Sequence, residues 1–515
     1  MKYPVGIQDF EKIRKGGYVY VDKTTQIARL IDSGCYYFLS RPRRFGKSLL
    51  LSTIAAWFLG KKELFEGLVI TDMAECPEGH PVLRLDLGGQ TYSRPEELLE
   101  VLNNYLSAWE KLYGTDPTEH SPARRFWGII HRACEQTGRQ VVILIDEYDK
   151  PLLEAIENEP LREEYRSILR GVYGNLKTCD ECIKFALLTG VTKFSKLSIF
   201  SDLNNLKDIS MYADYATLCG ITEQELETYF APGIEELARC NGISAGEARE
   251  QLRRRYDGYL FEEHAESVYN PFSLLSALDE KKFRDYWFGT GTPKFLVGVL
   301  QRDNINLENL TIDSIAASRL SALDSLEEDL LPVLYQSGYL TIAAVHPRTG
   351  NYRLKFPNEE VERSFFNLLL PAFACKKPAQ ADTLLERLVT ALDEGQAETF
   401  MIQLEALLAD IPYEHSPLEA YFRNLMFIIF RLVSFYCEVE HPMAGGRSDV
   451  VIKTKNFIYV LELKVDQSAE AALQQIEEKG YAAPYAADSR KLFKLGVNFI
   501  STKTKRVDEW RIVEQ

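Results

Sequence analysis

Tyr36–Ser52 reads YYFLSRPRRFGKSLLLS. Tyr36–Ser40 is an apolar run suited to a buried strand, and a tight basic stretch comes directly after it. Gly46-Lys47-Ser48 then opens a helical pattern. A strand that enters a loop at a helix N-terminus presents backbone N–H groups to an anion, and phosphates are favoured there. In that arrangement Lys47 reaches the β- and γ-phosphates of a nucleotide and the Ser48 hydroxyl binds Mg²⁺. Arg43, Arg44 and Phe45 complete the loop before Gly46, and the two arginines are placed to steady phosphates. The match to GxxxxGK[ST] is incomplete, because Arg41 stands at the first glycine position. Gly46, the glycine that lets the backbone approach the phosphates, is kept.

GKS alone reads equally well as a basic loop before a buried helix, and a second stretch decides between the two. Val141–Lys150 is VVILIDEYDK, five apolar residues ending in two acids. A buried strand of this kind delivers Asp146 and Glu147 to its C-terminal edge, where α/β proteins bind ligands. Asp146 fits a carboxylate that organises Mg²⁺, and Glu147 fits a base that orients or deprotonates an attacking water. Phe185–Val191, FALLTGV, is a further buried strand, and its Thr189 stands where a γ-phosphate can be sensed. With Tyr36–Ser40 and Val82–Leu87, these runs alternate with helical patterns through residues 1–220. The expectation is a parallel sheet with crossover helices that binds ATP and Mg²⁺.

Several strings in this chain resemble the AAA-ATPase-like family. They are YVDKT (20–24), RPRRFGKS (41–48), LIDEYDKPL (144–152), TGVTKFSK (189–196), FSDLNNLKDIS (200–210), YDGY (256–259), YNPFSLL (269–275) and YWFGTGTP (286–293). The resemblance covers most of the chain. It implies a signal-transducing switch rather than a metabolic kinase, and places Tyr20–Thr24 near the adenine. Arg41 resembles the family's own version of the loop.

The last ~100 residues hold a second constellation. Gly445–Gln467 reads GGRSDVVIKTKNFIYVLELKVDQ. Asp449 begins an apolar strand, Lys453–Asn456 makes a turn, and Phe457–Lys464 returns. Side chains alternate along a strand, so Glu462 and Lys464 share a face, and a hairpin brings Asp449 close to it. Hard carboxylate oxygens hold Mg²⁺, which polarises a phosphodiester and lowers the pKa of bound water. A lysine beside them orients that water or offsets transition-state charge. The pattern resembles the PD-(D/E)XK nuclease-like superfamily, with Asp449 as its D and Glu462-Leu463-Lys464 as its ExK. Glu419, on the helix expected over 417–435, matches that family's helical acid, and Gln475 and Tyr481 match a later helix.

Between the two motif sets the pattern is helical from Thr222. Near 325–365 a helix, a hairpin around His346–Asn351 and a second helix fit a small winged-helix unit. Such a unit is either a reader of DNA or RNA or a lid that couples the ATPase to the C-terminal part of the chain. The expected organisation is an α/β multidomain chain with four parts. Residues 1–220 form the P-loop domain, 221–310 a helical connector, 311–400 the winged and helical region, and 401–515 an α/β restriction-endonuclease-like domain.

Composition bounds the rest. A net charge of −15 argues against non-specific coating of DNA as the main task, though a local basic groove is compatible with it. Nine dispersed cysteines fit a reducing compartment. The start MKYPVGIQDF has no apolar signal core, and the most apolar stretch, Asn424–Tyr436, carries Arg431 and is too short for a bilayer. A cytoplasmic protein without membrane contact is expected. Cys179-x-x-Cys182 is a single pair, with no second pair or histidine pair near it in sequence, and reads as two packed cysteines. The dispersed histidines, His415 and His441 among them, and the basic run Lys503–Arg506 read as surface features. The functional expectation is a slow ATPase that controls a Mg²⁺-dependent nuclease acting on DNA, more than on RNA. The alternative is a nucleotide-dependent switch or scaffold whose nuclease-like domain binds nucleic acid or protein without cutting.

Overall fold

A computed structural model of the chain describes residues 1–193, 205–287, 297, 300, 305–311, 314–320, 330–409, 418–440, 449–499 and 507–515. Parts of the strings 189–196, 200–210 and 286–293, the Gly445–Arg447 turn, Lys503–Arg506, His415 and His441 lie outside these residues, as do the side chains of Glu419 and Asp449. The chain divides into two compact units, one of residues 1–290 and 311–361, the other of 291–310 and 362–515.

The first unit is built on a five-stranded parallel sheet. Its strands are β1 (Tyr36–Ser40), β2 (Val82–Asp86), β3 (Val141–Asp146), β4 (Ile183–Gly190) and β5 (Lys207–Asp208), in the order β2-β3-β4-β1-β5. β3 is buried at every position and β4 at all but Lys184, as strands covered on both faces must be. Because β4 separates β1 from β3, Thr189 at its end stands between the basic loop and Asp146. The helix Lys47–Phe58 comes after the loop and buries Leu50, Leu51, Ile54, Trp57 and Phe58.

A helical layer adjoins this sheet. The helices Glu223–Asn241 and Ala245–Tyr256 each start with a capping box, Thr222 with Glu225 and Ser244 with Glu247, which satisfies N–H groups that a helix end leaves open. Their apolar faces close with the helix Pro271–Glu280 over a core that includes Leu226, Phe230, Leu252 and Tyr269, and Tyr3, Val19 and Val21 pack against it. Next in the chain is a three-stranded antiparallel sheet, β6 (Ser314–Ile315), β7 (Thr341–Val345) and β8 (Tyr352–Lys355), in the order β6-β8-β7. The helix Leu330–Ser337 precedes β7 and buries Val333, Leu334, Tyr335 and Gln336. Gln336 is tied to the segment leaving β4: its Oε1 accepts the Lys193 N–H at 2.8 Å and its amide donates to Leu320 O at 3.0 Å.

The second unit carries a mixed sheet of five strands, β9 (Glu438–Glu440), β10 (Asp449–Lys453), β11 (Phe457–Val465), β12 (Lys491–Phe499) and β13 (Val507–Glu514), in the order β13-β12-β11-β10-β9. Only β11 and β12 run parallel, joined through the helix Ala469–Lys479. One face of β11 presents Ile458 and Val460 to Ile476 and Ala482. On the other, the Tyr459 hydroxyl donates to Leu392 O at 2.6 Å, which ties the strand to the helix Pro378–Asp393. Among the described residues no helix is long and apolar enough to cross a membrane.

Candidate functional site

At the C-terminal edge of the first sheet the chain folds around a cleft of ≈ 320 Å³, lined by Arg43, Arg44, Gly46, Lys47, Ser48, Glu147 and Lys150 among others. That volume suits a small polar ligand. Gly46 caps the helix Lys47–Phe58 at φ 89° with no side-chain cap, so a non-glycine residue would be strained there and the first-turn N–H groups remain open to an anion. Arg44 (φ 68°) and Glu147 (φ 49°) also adopt the left-handed region, which costs a non-glycine residue of order 1–3 kcal/mol and concentrates at functional sites.

Lys47 is buried, and its Nζ donates to Arg41 O at 2.9 Å and Pro42 O at 3.0 Å. Burial pushes its pKa down, while Asp146, Glu147 and Asp149 push it up. Arg41 is not in the cleft. Its guanidinium stacks 4.0 Å over the Phe261 ring and donates to Ser210 O at 2.7 Å and Tyr215 O at 3.0 Å. A glycine could make none of these bonds, so Arg41 replaces loop freedom with a fixed brace. Phe45 likewise turns into the core, 4.7 Å from Tyr259 and 5.5 Å from Phe261, so what it offers phosphates is backbone. Arg44 stacks on Phe272 at 4.9 Å. The strings YDGY and YNPFSLL therefore meet the loop in space, through Tyr259 and Phe272. Beside the cleft a smaller apolar pocket of ≈ 100 Å³ shares Gly46 and Leu49 with it and is lined by Tyr20, Val21 and Lys23.

The acidic side of the cleft has more members than the sequence indicated. Asp146 is buried, and its Oδ1 accepts from the Thr189 hydroxyl at 2.7 Å. Thr189 thus points at Asp146 and orients it. Asp146 Oδ2 accepts no hydrogen bond among the described residues, with Arg84 Nη2 4.0 Å away. A buried carboxylate oxygen left without a donor beside the Ser48 loop fits a divalent cation. Asp86, which ends β2, lies opposite Asp146 in the register. A Cβ on Gly88 would stand 3.0 Å from Asp86 Oδ1 and 2.7 Å from Glu147 Oε2, so these two carboxylates flank one small space. Burial pushes the carboxyls of both Asp86 and Glu147 up, and Lys47 opposes this at Glu147. Asp149 serves the frame: its Oδ2 accepts from Val191 N–H at 3.0 Å, Thr192 N–H at 2.7 Å and the Thr192 hydroxyl at 2.8 Å. Asp86 had a readable signal, since VLRLD ends in an acid as VVILID does. Asp149 had none, because its partners lie across a crossover.

In the second unit β10 and β11 pair antiparallel with Asp449 directly opposite Glu462. Glu462 is buried on a face otherwise made of Ile458 and Val460. Its Oε1 accepts from Gln475 Nε2 at 2.7 Å and lies 3.0 Å from Lys464 Nζ. Lys464 also donates to Gln475 Oε1, so one amide holds carboxylate and lysine together. Gln475 reaches them because Gly496, opposite Glu462 on β12, lets the helix Ala469–Lys479 approach; a Cβ there would meet Ala469 O at 2.3 Å. Tyr481 packs at the edge of the same apolar cluster. Glu419 is placed on the helix Leu418–Val433. The Glu462 carboxylate oxygens are hard donors of the kind that fit Mg²⁺.

The fold places the chain in the class of P-loop ATPase-like proteins that also carry a nuclease-like domain. The family models agree: a predicted AAA-ATPase model matches residues 4–200, and a PD-(D/E)XK nuclease superfamily model matches residues 418–509. The chain is 37% identical over 510 residues, 97% of its own length and 96% of the other's, to a protein from Azotobacter chroococcum mcd 1 described as an uncharacterized protein in the vnfD 5′ region. No solved structure matches. The chain belongs to the AAA-ATPase-like family and carries a C-terminal PD-(D/E)XK nuclease superfamily domain.

Proposed function

We propose that the first unit binds Mg·ATP and hydrolyses it slowly, and that its state controls a Mg²⁺-dependent nuclease in the C-terminal domain that cuts DNA. In this reading the Lys47 ammonium leaves Arg41 O and Pro42 O for the β- and γ-phosphates. Ser48 and Asp146 hold the cation, which would offset phosphate charge when bound. Glu147, its carboxyl raised by burial, takes the proton of the attacking water. In the C-terminal domain Asp449 and Glu462 hold the cation and Lys464 faces the scissile phosphate, with Glu419 as a further acid.

The observation that carries the control is a line of bonds from the loop. Trp287 Nε1 donates to Arg43 O at 3.3 Å, and the Trp287 N–H donates to Glu360 Oε1 at 2.8 Å. Glu360 lies in the first turn of the helix Glu359–Phe373, within which the division between the units falls. In this reading a loop that moves on phosphate acts, through Trp287, on the first turn of that helix. The buried helix Leu330–Ser337 supports the coupling role of the winged region over a groove-reading one.

One observation favours the switch or scaffold reading: Glu462 is 1% exposed and already held by Gln475 and Lys464. Incubating the purified chain with plasmid and single-stranded DNA in Mg²⁺ or Mn²⁺ separates the two. Cleavage by wild type that Glu462→Gln abolishes supports the nuclease. Intact DNA in every lane, with ATP still bound, supports the switch.

A further inference from the structure

The edge of the first sheet opposite the cleft gathers a second set of polar side chains. Cys182 directly precedes β4, whose far end carries Thr189, so the two sites are roughly 20 Å apart along the strand. The helix Pro122–Thr137 contributes His131 and Cys134, three residues apart and so on one face. The turn Asp180–Cys182 contributes Cys182, with Cys179 just before it. Cys179 Sγ lies 3.9 Å from His131 Nδ1. The donor atoms of His131, Glu181 and Cys182 all lie within 4.8 Å of one another. The thiols of Cys134 and Cys182 are hydrogen-bonding neighbours. Cys179 and Cys182 are buried, Cys134 and His131 are half-buried, and all nine cysteines are free thiols.

We propose that His131, Cys134, Cys179 and Cys182 bind one zinc ion, which clamps the helix Pro122–Thr137 to the entry of β4. Zinc–sulfur bonds of about 2.3 Å and zinc–nitrogen bonds of about 2.0 Å, set tetrahedrally, put neighbouring donors about 3.5–3.8 Å apart. Cys179 Sγ stands 3.9 Å from one ring nitrogen of His131, Nδ1, so it reaches a metal on the other, Nε2, only by turning about its own side-chain bonds. The His131 ring is already oriented: Nδ1 is 3.0 Å from Trp127 O, and a proton shared there leaves Nε2 with its lone pair free. Metal-binding imidazoles characteristically donate their other N–H to a carbonyl in this way. Completing the shell asks for side-chain rotation at Cys134 and Cys179, whose sulfurs each stand against one member of the central pair His131–Cys182. Glu181 is exposed and stands on the rim. Three sulfurs and an imidazole are a soft set that selects zinc over the Mg²⁺ suited to Asp146 or Glu462. Each thiol that coordinates releases its proton to solvent. The H-x-x-C and C-x-x-C halves are separated by 44 residues, from Cys134 to Cys179, so neither half announces the other in the sequence.

The test is made on the full chain, purified in reducing buffer after expression with zinc. Elemental analysis is expected to find one tightly held zinc per chain. Replacement by Co²⁺ is expected to give the sulfur-to-cobalt charge-transfer band that carboxylate sites do not produce. Cys182→Ser loses both signals, and Cys240→Ser, at an exposed cysteine on another helix, keeps both. Folded wild type without zinc and without the cobalt band overturns the proposal, as does a band that survives in Cys182→Ser. Should Cys182→Ser not fold, His131→Ala with the wild-type spectrum decides the matter on the same terms.

Discussion

Asp146 and Asp149 stand three residues apart on one strand and turn, and the fold asks opposite things of them. Asp146 is held by Thr189 on one oxygen, and the other accepts no hydrogen bond among the described residues, as a cation ligand would be kept. Asp149 saturates one oxygen with three donors and joins the turn after β3 to the turn after β4. Removing Asp149 strands two buried N–H groups at about 1–3 kcal/mol each. Asp149→Ala is therefore expected to lower stability by roughly 2–5 kcal/mol in urea unfolding. Asp146→Asn is expected to leave the urea midpoint nearly unchanged and to weaken Mg²⁺-dependent ATP binding at least tenfold by calorimetry. Equal destabilisation by both changes would remove the distinction. That Lys47, Ser48, Asp146 and Glu147 come to one edge of the sheet was legible from the spacing of the motifs that carry them. Asp86 left a signal in the acid that ends VLRLD, but strand order is what sets it beside Asp146, and Asp149 left none, because its meaning lies in a crossover contact.

At the scale of elements, two close packings set the geometry of the sites. Gly496 lets the helix Ala469–Lys479 lie against β12 so that Gln475 bridges Glu462 and Lys464. Adding a methyl must displace backbone, because the nearest atoms are Ala469 O and the Leu473 chain. Gly496→Ala is expected to abolish metal-dependent cleavage while costing about 1–3 kcal/mol of stability, read by plasmid nicking beside thermal melting. The helix Glu359–Phe373 is anchored through Glu360, whose carboxyl burial raises from 4.5 to about 7. The folded state then holds its proton more tightly than the unfolded chain. Its stabilising share is complete below about pH 4.5 and is lost as pH rises through about 7. Glu360→Gln is expected to flatten that dependence, by on the order of 3 kcal/mol between about pH 5 and pH 8 in urea midpoints. A wild-type slope retained in the variant would assign the effect elsewhere. Strands β1, β3 and β4 were readable as apolar runs, and the hairpin of β10 and β11 from its alternation. The burial of the helix Leu330–Ser337 was not, because an apolar helix looks the same in sequence whether it faces a groove or a neighbouring sheet.

At the scale of the whole molecule, the chain carries a cleft lined by Arg43, Arg44 and Lys47 in one unit and a carboxylate-lysine cluster in the other, and its net charge is −15. That charge opposes loose attraction to DNA, so cutting would depend on the metal sites and on whatever the ATP state exposes. The most direct test is plasmid cleavage in Mg²⁺ by wild type and by Lys47→Ala, each with and without ATP. The account predicts that ATP changes the wild-type rate at least several-fold, that Lys47→Ala is insensitive to ATP, and that Glu462→Gln cuts in neither condition. A wild-type rate that ATP leaves unchanged, with ATP binding demonstrated in the same sample, would contradict control of the nuclease by the ATPase.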